Sequence, residues 1–153
     1  DFPIILRWSQ WKQQDFTARL ASTPQLLEAF LQPLIDAGVD AFHCSQRRFW
    51  EPEFDDSDMN LAGWVKKLTG MPTITVGSVS LDQDFVSQPS EGDGATSEPA
   101  SIDRLLEMMD RGDFDLVAVG RALIANPDWP KVVRSGGTAG LQAFNKDLLA
   151  ELA

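Results

Sequence analysis

Residues 116–128 read LVAVGRALIANPD, and this stretch decides the class of fold. An apolar run begins at Leu116 and is broken by Gly120-Arg121. The triplet Asn126-Pro127-Asp128 then has the pattern of a helix start, with Asn126 as the cap of a helix running toward Arg134. Apolar runs that hardly alternate are typical of strands covered on both faces, as in parallel sheets.

Three similar runs precede this one. They read PIILRW at residues 3–8, VDAFHCS at 39–45 and TITVGSV at 73–79, and the fourth reads LVAVGRAL at 116–123. We predict a strand in each. The strands then begin near residues 3, 40, 73 and 116, at a spacing typical of strand, helix, strand units with right-handed crossovers. The sequence therefore predicts an α/β protein.

Helix signals lie between the runs. The first helix is predicted from Pro24, capped by Thr23, to Gly38, with Pro33 kinking or restarting it. Others are predicted for 60–68, ending at Gly70, for 102–111, capped by Ser101 and closed by Gly112, and for the tail after Gly136-Gly137. The Gly, Pro, Ser and Glu segment 87–101 predicts a mobile solvent loop.

Composition limits the classes of partner. The chain has 153 residues, 43% of them apolar, which suits one domain. Its 13 basic residues face 23 acidic ones, which argues against a nucleic-acid partner. A single Cys excludes an internal disulfide framework, and one Cys with one His does not support a Cys/His metal cluster or a catalytic Cys/His pair. No run approaches a membrane span and no secretory signal opens the chain, so we expect a cytoplasmic protein with no membrane partner; the start at Asp1 suggests a fragment.

Two glycine motifs close the last two predicted strands. Gly77-Ser78 ends the third and Gly120-Arg121 ends the fourth. Glycine lets a phosphate approach backbone N–H groups, and an arginine offers a planar fork of donors to phosphate oxygens. These residues therefore predict an anion site. In the alternative interpretation the glycines only turn the chain, and Arg121 pairs with a surface carboxylate.

Four segments together carry a family resemblance. PIILRWSQ at 3–10, AGVDAFHCS at 37–45, TITVGSV at 73–79 and FDLVAVGRALIANPD at 114–128 resemble strands five to eight of the Old Yellow Enzyme family of NAD(P)H:flavin oxidoreductases. The resemblance covers nearly the whole chain apart from 87–101. It implies that residues 1–153 are the C-terminal half of a (β/α)8 TIM barrel that binds FMN.

The resemblance also implies residue roles. Arg7 would face the pyrimidine side of the flavin, where a cation stabilises negative charge near N1 and the C2 carbonyl. Gly77, Ser78, Gly120 and Arg121 would surround the FMN phosphate. The whole enzyme would take hydride from NAD(P)H and pass it to an activated alkene or related small-molecule electrophile. The family's catalytic His and Tyr belong to the other half of the barrel, so no catalytic or metal residue is assigned here.

Other residues are weaker candidates. His43 and Cys44 lie at the end of the second strand, where His43 is expected to be a packed, hydrogen-bonded residue rather than a base. The run 47–50 (RRFW) either lines the mouth of the flavin site or covers the barrel rim. We interpret residues 55–58 (DDSD) as a solvated acidic turn. Trp8 and Trp11 either pack around the flavin edge or fill the top of the barrel.

Four strands leave the barrel incomplete, so a partner is expected. The partner is either the missing N-terminal half or a second copy of the chain. Two other functions stay open: a half-barrel that binds a phosphate ligand without redox activity, and a non-flavin barrel that binds a sugar phosphate through Gly77, Ser78 and Arg121.

Overall fold

The computed structural model describes residues 2–12, 14–83 and 96–152. Its centre is one parallel sheet whose strands follow the order of the chain: β1 (Ile5–Trp8), β2 (Ala41–Ser45), β3 (Thr73–Val76) and β4 (Leu116–Val117). Each strand lies within one of the four predicted apolar runs. The parallel pairing of all four confirms the predicted α/β class.

The fourth strand is shorter than predicted. The run 116–123 was expected to be one strand, but β4 ends at Val117 and Arg121–Ala125 form a short helix, α4. Gly120 sits between them with φ −107° and ψ −96°, so the chain leaves the extended conformation there. The chain therefore turns at the glycine, and the apolar residues after it continue a helix rather than a strand.

The first two predicted helices are confirmed. α1 spans Pro24–Asp36 and α2 spans Leu61–Thr69. The Thr23 hydroxyl accepts a hydrogen bond from Leu26 N, as a helix cap does, and the Asn60 side chain does the same for α2. Helix α1 continues through Pro33 for three more residues, so the predicted restart is wrong.

The later helices differ from their predicted caps. α3 spans Asp103–Asp110 with Ile102 at the cap position, and the Ser101 hydroxyl accepts from Asp103 N instead. α5 spans Trp129–Arg134 and begins after Asp128. Asn126 does not cap it: its side chain exchanges two hydrogen bonds with the backbone of Gln142. The amide therefore ties the C-terminal segment to α4.

The C-terminal segment is a 3-10 helix, Lys146–Leu152, rather than a longer amphipathic α-helix. Phe144, fully buried just before it, packs with Leu81 and Ala122 in a small second core. The segment therefore closes over the region where β3 and β4 end.

Residues 87–95 of the predicted solvent loop lie outside the described residues. The remainder, 96–101, departs from that prediction, because Ser97 is buried and pairs through its backbone with Phe144. Ala100 N also donates to Ser80 O. Whether a serine in a polar segment is buried depends on its tertiary partners, and these cannot be predicted from the composition of the segment. No helix in the described part of the chain has the length and apolar character needed to cross a membrane.

The helices pack on one face of the sheet. The main core joins Phe42 and Cys44 of β2 with Leu27 of α1, Val65 of α2 and Leu105 of α3. Sequential parallel strands joined by right-handed crossovers carry their helices on the same face. The strand order β1-β2-β3-β4 runs in one direction across the sheet, without the reversal of strand order found in open doubly wound sheets.

The opposite face of the sheet is open to solvent. Side chains alternate along a strand, so Ile5, His43 and Leu116 point away from the helix-covered face. Ile5 is 55% exposed and Leu116 is 58% exposed. Parallel strands normally have both faces covered, so these apolar side chains are exposed where burial is the rule.

Candidate functional site

The five residues predicted to bind a cofactor line one cleft. It has a volume of about 230 Å³ and opens at the carboxyl ends of the strands. The predicted residues in its wall are Arg7, Gly77, Ser78, Gly120 and Arg121. Ligands of α/β proteins bind at this end of the sheet, so the cleft is the candidate functional site.

Gly77 is required by the backbone after β3. Its φ is +145°, and a Cβ added there would lie 2.7 Å from the carbonyl oxygen of Gln46. The Gly77 carbonyl accepts a hydrogen bond from Phe49 N at 3.0 Å. The loop after β2 therefore packs directly on the backbone after β3, and both loops contribute to the cleft wall.

The residues after Gly77 have strained backbone. Ser78 has φ 48° and Ser80 has φ 59°, in the left-handed region that residues other than glycine rarely adopt. Strain of this kind concentrates at functional sites. The Ser78 hydroxyl donates to the carbonyl oxygens of Arg47 at 3.2 Å and Gln83 at 3.1 Å. Ser78 therefore faces the protein with its hydroxyl and the cleft with its backbone.

Backbone donors remain available at the cleft. Among the described residues, the N–H groups of Ser78, Val79 and Gly120 have no hydrogen-bond acceptor in the protein. Ser78 is 8% exposed and Val79 is 4% exposed. Backbone N–H groups at buried positions normally have partners, so those of Ser78 and Val79 are suited to an acceptor supplied by a ligand, and the N–H of the exposed Gly120 is accessible to the same ligand. A Cβ on Gly120 would meet nothing within 4 Å, so the space beside it is open.

Arg121 is held firmly at the junction of the last two strands. Its Nη1 donates to the Ser97 hydroxyl at 2.9 Å, and its Nη2 donates to Gln83 O at 2.8 Å and the Ser78 hydroxyl at 3.4 Å. Its guanidinium also lies over the ring of Phe144. These contacts with two hydroxyls, a carbonyl oxygen and an aromatic ring hold the guanidinium in the cleft wall.

Arg7 provides the second guanidinium of the cleft. Its Nη1 lies 3.2 Å from Nε2 of His43, and its Nη2 donates to the Ser45 hydroxyl at 3.3 Å. His43 is the direct register neighbour of Arg7 on β2. Arg7 is exposed on the open face of the sheet, so its charge faces the space above the strands.

His43 and Cys44 have opposite surroundings on the same strand. Burial, with the nearby Arg7 guanidinium, lowers the pKa of His43 below its usual 6.5, which favours the neutral imidazole. Cys44 is fully buried in the main core, and this burial raises the pKa of its thiol far above the usual range. The thiol is therefore an unreactive core group, whereas the His43 ring lies next to Arg7 of the candidate site.

The run 47–50 contributes one residue to the cleft and another to the hydrophobic core. Arg47 lines the cleft, whereas Phe49 is buried in the core and meets Trp50 edge to face at 5.0 Å. Of the two tryptophans near β1, Trp11 lines the cleft and Trp8 packs on Phe30 under the sheet. Only one member of each candidate group therefore reaches the site.

The acidic turn 55–58 lies away from the cleft. Asp55 and Asp56 are exposed, as predicted. Asp58 instead forms ion pairs with Arg104 and Arg111 at the two ends of α3. No group of His, Cys, Asp and Glu side chains suited to a metal ion occurs in the described ranges.

Sequence reasoning missed several members of the site. Ser45, Gln46 and Val79 line the cleft, and Ser97 anchors Arg121 from a segment without strand or helix pattern. Ser45 and Gln46 follow directly from the carboxyl end of β2, so the strand-end rule could have found them. Ser97 carried no signal, because its place depends on the fold of a polar segment.

Comparison with known proteins gives one clear similarity. No protein-family model matches the chain. The chain is 28% identical over 144 residues to a protein named NADH oxidase from Thermoanaerobacter brockii. The match covers 89% of this chain but spans only 18% of the length of that relative. The chain is therefore similar to a small part of a larger oxidoreductase.

Proposed function

We propose that this chain is the C-terminal half of the FMN-binding (β/α)8 barrel of an NAD(P)H oxidoreductase of the Old Yellow Enzyme type. In this proposal it supplies the binding residues for the cofactor, and four further strands complete the barrel. FMN, when bound, accepts hydride from NAD(P)H and delivers it to an activated alkene or a related electrophile. This chain alone is expected to be inactive.

The convergence of Arg7, the Gly77-Ser78 pair and the Gly120-Arg121 pair on one cleft carries the proposal. These residues come from three strands that are far apart in the sequence. A phosphoryl group needs several donors and positive charge together, and the cleft provides both. The relative named NADH oxidase supports the same chemistry, because its similarity extends over most of this chain.

The donor set fits FMN. The unpartnered N–H groups of Ser78, Val79 and Gly120 are suited to phosphate oxygens, and Arg121 adds a fixed charge beside them. Arg7, at the other side of the cleft, is suited to the electron-rich edge of a flavin ring. The volume of about 230 Å³ is below the 300 Å³ or more of typical ligand pockets. The chain alone is therefore expected to bind FMN weakly.

The open sheet face supports completion of the barrel. Ile5 on β1 and Leu116 on β4 are exposed apolar residues on the two outermost strands. Four additional parallel strands would pair with both edges and bury these side chains inside a closed barrel. Such an N-terminal half is the partner that we propose.

The test is flavin content in the complete protein. We expect the purified complete protein to be yellow and to release FMN, rather than riboflavin or FAD, when it is denatured. A colourless protein that binds a sugar phosphate would overturn the proposal in favour of a non-flavin barrel. A tight, stoichiometric yellow complex formed by the 153-residue chain alone would contradict the expected need for the missing half.

A second candidate is a half-barrel binding module that is completed by a second copy of the chain. In the described part of the chain β1 and β4 are the edge strands of the sheet, which favours this candidate, because two copies could pair edge to edge into an eight-stranded ring. Light scattering on the purified chain separates the candidates. A stable symmetric dimer without flavin would support the module, whereas aggregation of the isolated chain is expected if the natural partner is an N-terminal half.

A further inference from the structure

Two side chains of β2 contact the guanidinium of Arg7, which lies on β1. Register pairs Arg7 with His43, and Ser45 lies two residues further along the same strand. Residues two apart on a strand point to the same face, so the imidazole and the hydroxyl form a row toward the carboxyl end of β2. The two terminal nitrogens of Arg7 each meet one member of this row, at 3.2 and 3.3 Å.

We infer that His43 and Ser45 are positioning residues that hold the Arg7 guanidinium in place while leaving its positive charge uncompensated. The inference rests on the proposed function, since the ligand for this charge is the electron-rich pyrimidine side of FMN. It assigns to His43 a role other than the packed structural residue expected from the sequence.

The neutrality of both anchors is the central observation. No carboxylate forms an ion pair with Arg7 among the described residues. A carboxylate anchor would hold the guanidinium equally well but would cancel much of its field at the ligand. An imidazole nitrogen and a hydroxyl oxygen accept hydrogen bonds without adding charge. The arrangement therefore keeps the orientation and the full charge together.

The surroundings keep His43 able to accept. Arg7 faces it from β1, and the register neighbour on β3 is the apolar Ile74. Burial and the adjacent guanidinium both lower the pKa of His43, so the ring stays neutral at physiological pH. A protonated ring would have no acceptor nitrogen and would repel the arginine.

The contact itself can be tested in the complete protein after removal of flavin. Nuclear magnetic resonance follows the histidine ring signals, and the signals that disappear in His43→Gln identify those of His43. Replacing Arg7→Met removes the repulsion, and we expect the pKa of His43 to rise toward 6.5. An unchanged pKa would overturn the inference.

The effect on the ligand is tested in the complete flavoprotein with three variants. His43→Gln keeps a neutral acceptor, His43→Leu removes it, and His43→Glu replaces it with a charged one. We expect His43→Glu to weaken binding of reduced relative to oxidised flavin about tenfold, which corresponds to about 30 mV for a two-electron couple. His43→Gln should retain the native potential, and His43→Leu should fall between the two.

The outcomes separate the inference from the proposed function. If the three His43 variants share one potential while Arg7→Met shifts it, the positioning role is wrong and the flavin site stands. If the complete protein contains no flavin, the proposed function fails, and the pKa measurement on that protein still decides whether Arg7 and His43 are paired. A merely structural role for His43 would change stability equally in the Leu and Glu variants and leave the potential unchanged.

Discussion

Arg121 donates through Nη2 to the hydroxyl of Ser78, 3.4 Å away. This contact joins the loop after β3 to the loop after β4. The two glycine motifs that the sequence sets 43 residues apart are therefore parts of one wall. An anion in the cleft can contact the backbone of one motif and the side chain of the other.

The first prediction separates the phosphate side of the cleft from the ring side. In the complete protein, Arg121→Met should weaken FMN affinity by about tenfold to a hundredfold, the value of a charge-assisted hydrogen bond. Riboflavin lacks the phosphate, so its affinity should hardly change. Fluorescence titration with both flavins measures the difference.

Arg7→Met is the matched control for that experiment. Arg7 is expected to face the ring system that both flavins share, so this variant should weaken FMN and riboflavin together. Equal losses for both flavins in Arg121→Met would contradict a phosphate role for Arg121.

The second prediction concerns the tight turn at Gly77. Gly77→Ala should lower the free energy of unfolding by about 3 kcal/mol, because the new methyl group meets Gln46 O at 2.7 Å and φ is +145°. Urea denaturation of the complete protein measures the change. Gly38→Ala is the control, since φ there is +97° with nothing within 4 Å of the added carbon.

Gly38→Ala should lower the free energy of unfolding by only about 1 kcal/mol, the cost of placing a residue with a Cβ at a positive φ. A Gly77→Ala variant as stable as Gly38→Ala would show that the loop after β2 can move away from β3, contrary to the close packing seen here.

The third prediction concerns Glu53, whose side chain is 10% exposed. Burial raises the pKa of this carboxyl, while Arg19 and a hydrogen bond from Gln10 partly oppose the effect. The folded chain therefore holds this proton more tightly than the unfolded chain. The resulting stabilisation is complete below pH 4.5, the usual glutamate value, and is lost as the pH rises through the raised pKa.

Glu53→Gln should remove this dependence, because the amide keeps an oxygen acceptor for Gln10 but does not ionise. The measurement is the free energy of unfolding between pH 4.5 and 8. Glu28→Gln, on the exposed side of α1, is the control and should reproduce the native profile. The lowered pKa of His43 acts in the opposite sense, with stability lost as the pH falls below 6.5, but it is common to all three proteins. Identical profiles for the two variants would refute the role of Glu53.

The fourth prediction concerns the ion pairs after α3. Arg111 Nε lies 3.0 Å from Oδ1 of Asp113, a carboxylate whose side chain is only 4% exposed. Arg111, itself 41% exposed, is replaced in Arg111→Met, which leaves the buried carboxylate without its hydrogen-bond donors at a cost of about 1 to 3 kcal/mol in the free energy of unfolding. Arg104→Met breaks exposed pairs with Asp58 and Glu107, which solvent screens, so it should lower the free energy of unfolding less than Arg111→Met does. Thermal or urea unfolding of the two variants compares them directly, and equal losses would contradict the importance of burial.

Local signals were enough for most of the secondary structure. Thr23 with Pro24, and Asn60 with Gly70, mark the ends of α1 and α2, because caps act through hydrogen bonds within one turn of the helix. The same reasoning failed at Asn126, whose side chain binds Gln142 instead of the following helix. A residue that can cap a helix can also join two segments, and only the distant partner decides between them.

The sequence by itself determined the α/β class, the four strands and the strand-end motifs that contain Gly77, Gly120 and Arg121, because these depend on apolar periodicity and on residue types within a few positions. Only the tertiary structure decided that these motifs share a cleft with Arg7, that Ser97 anchors Arg121, and that His43 and Ser45 hold Arg7. These relationships depend on the register between strands and on contacts between residues more than 20 positions apart, which no local pattern encodes.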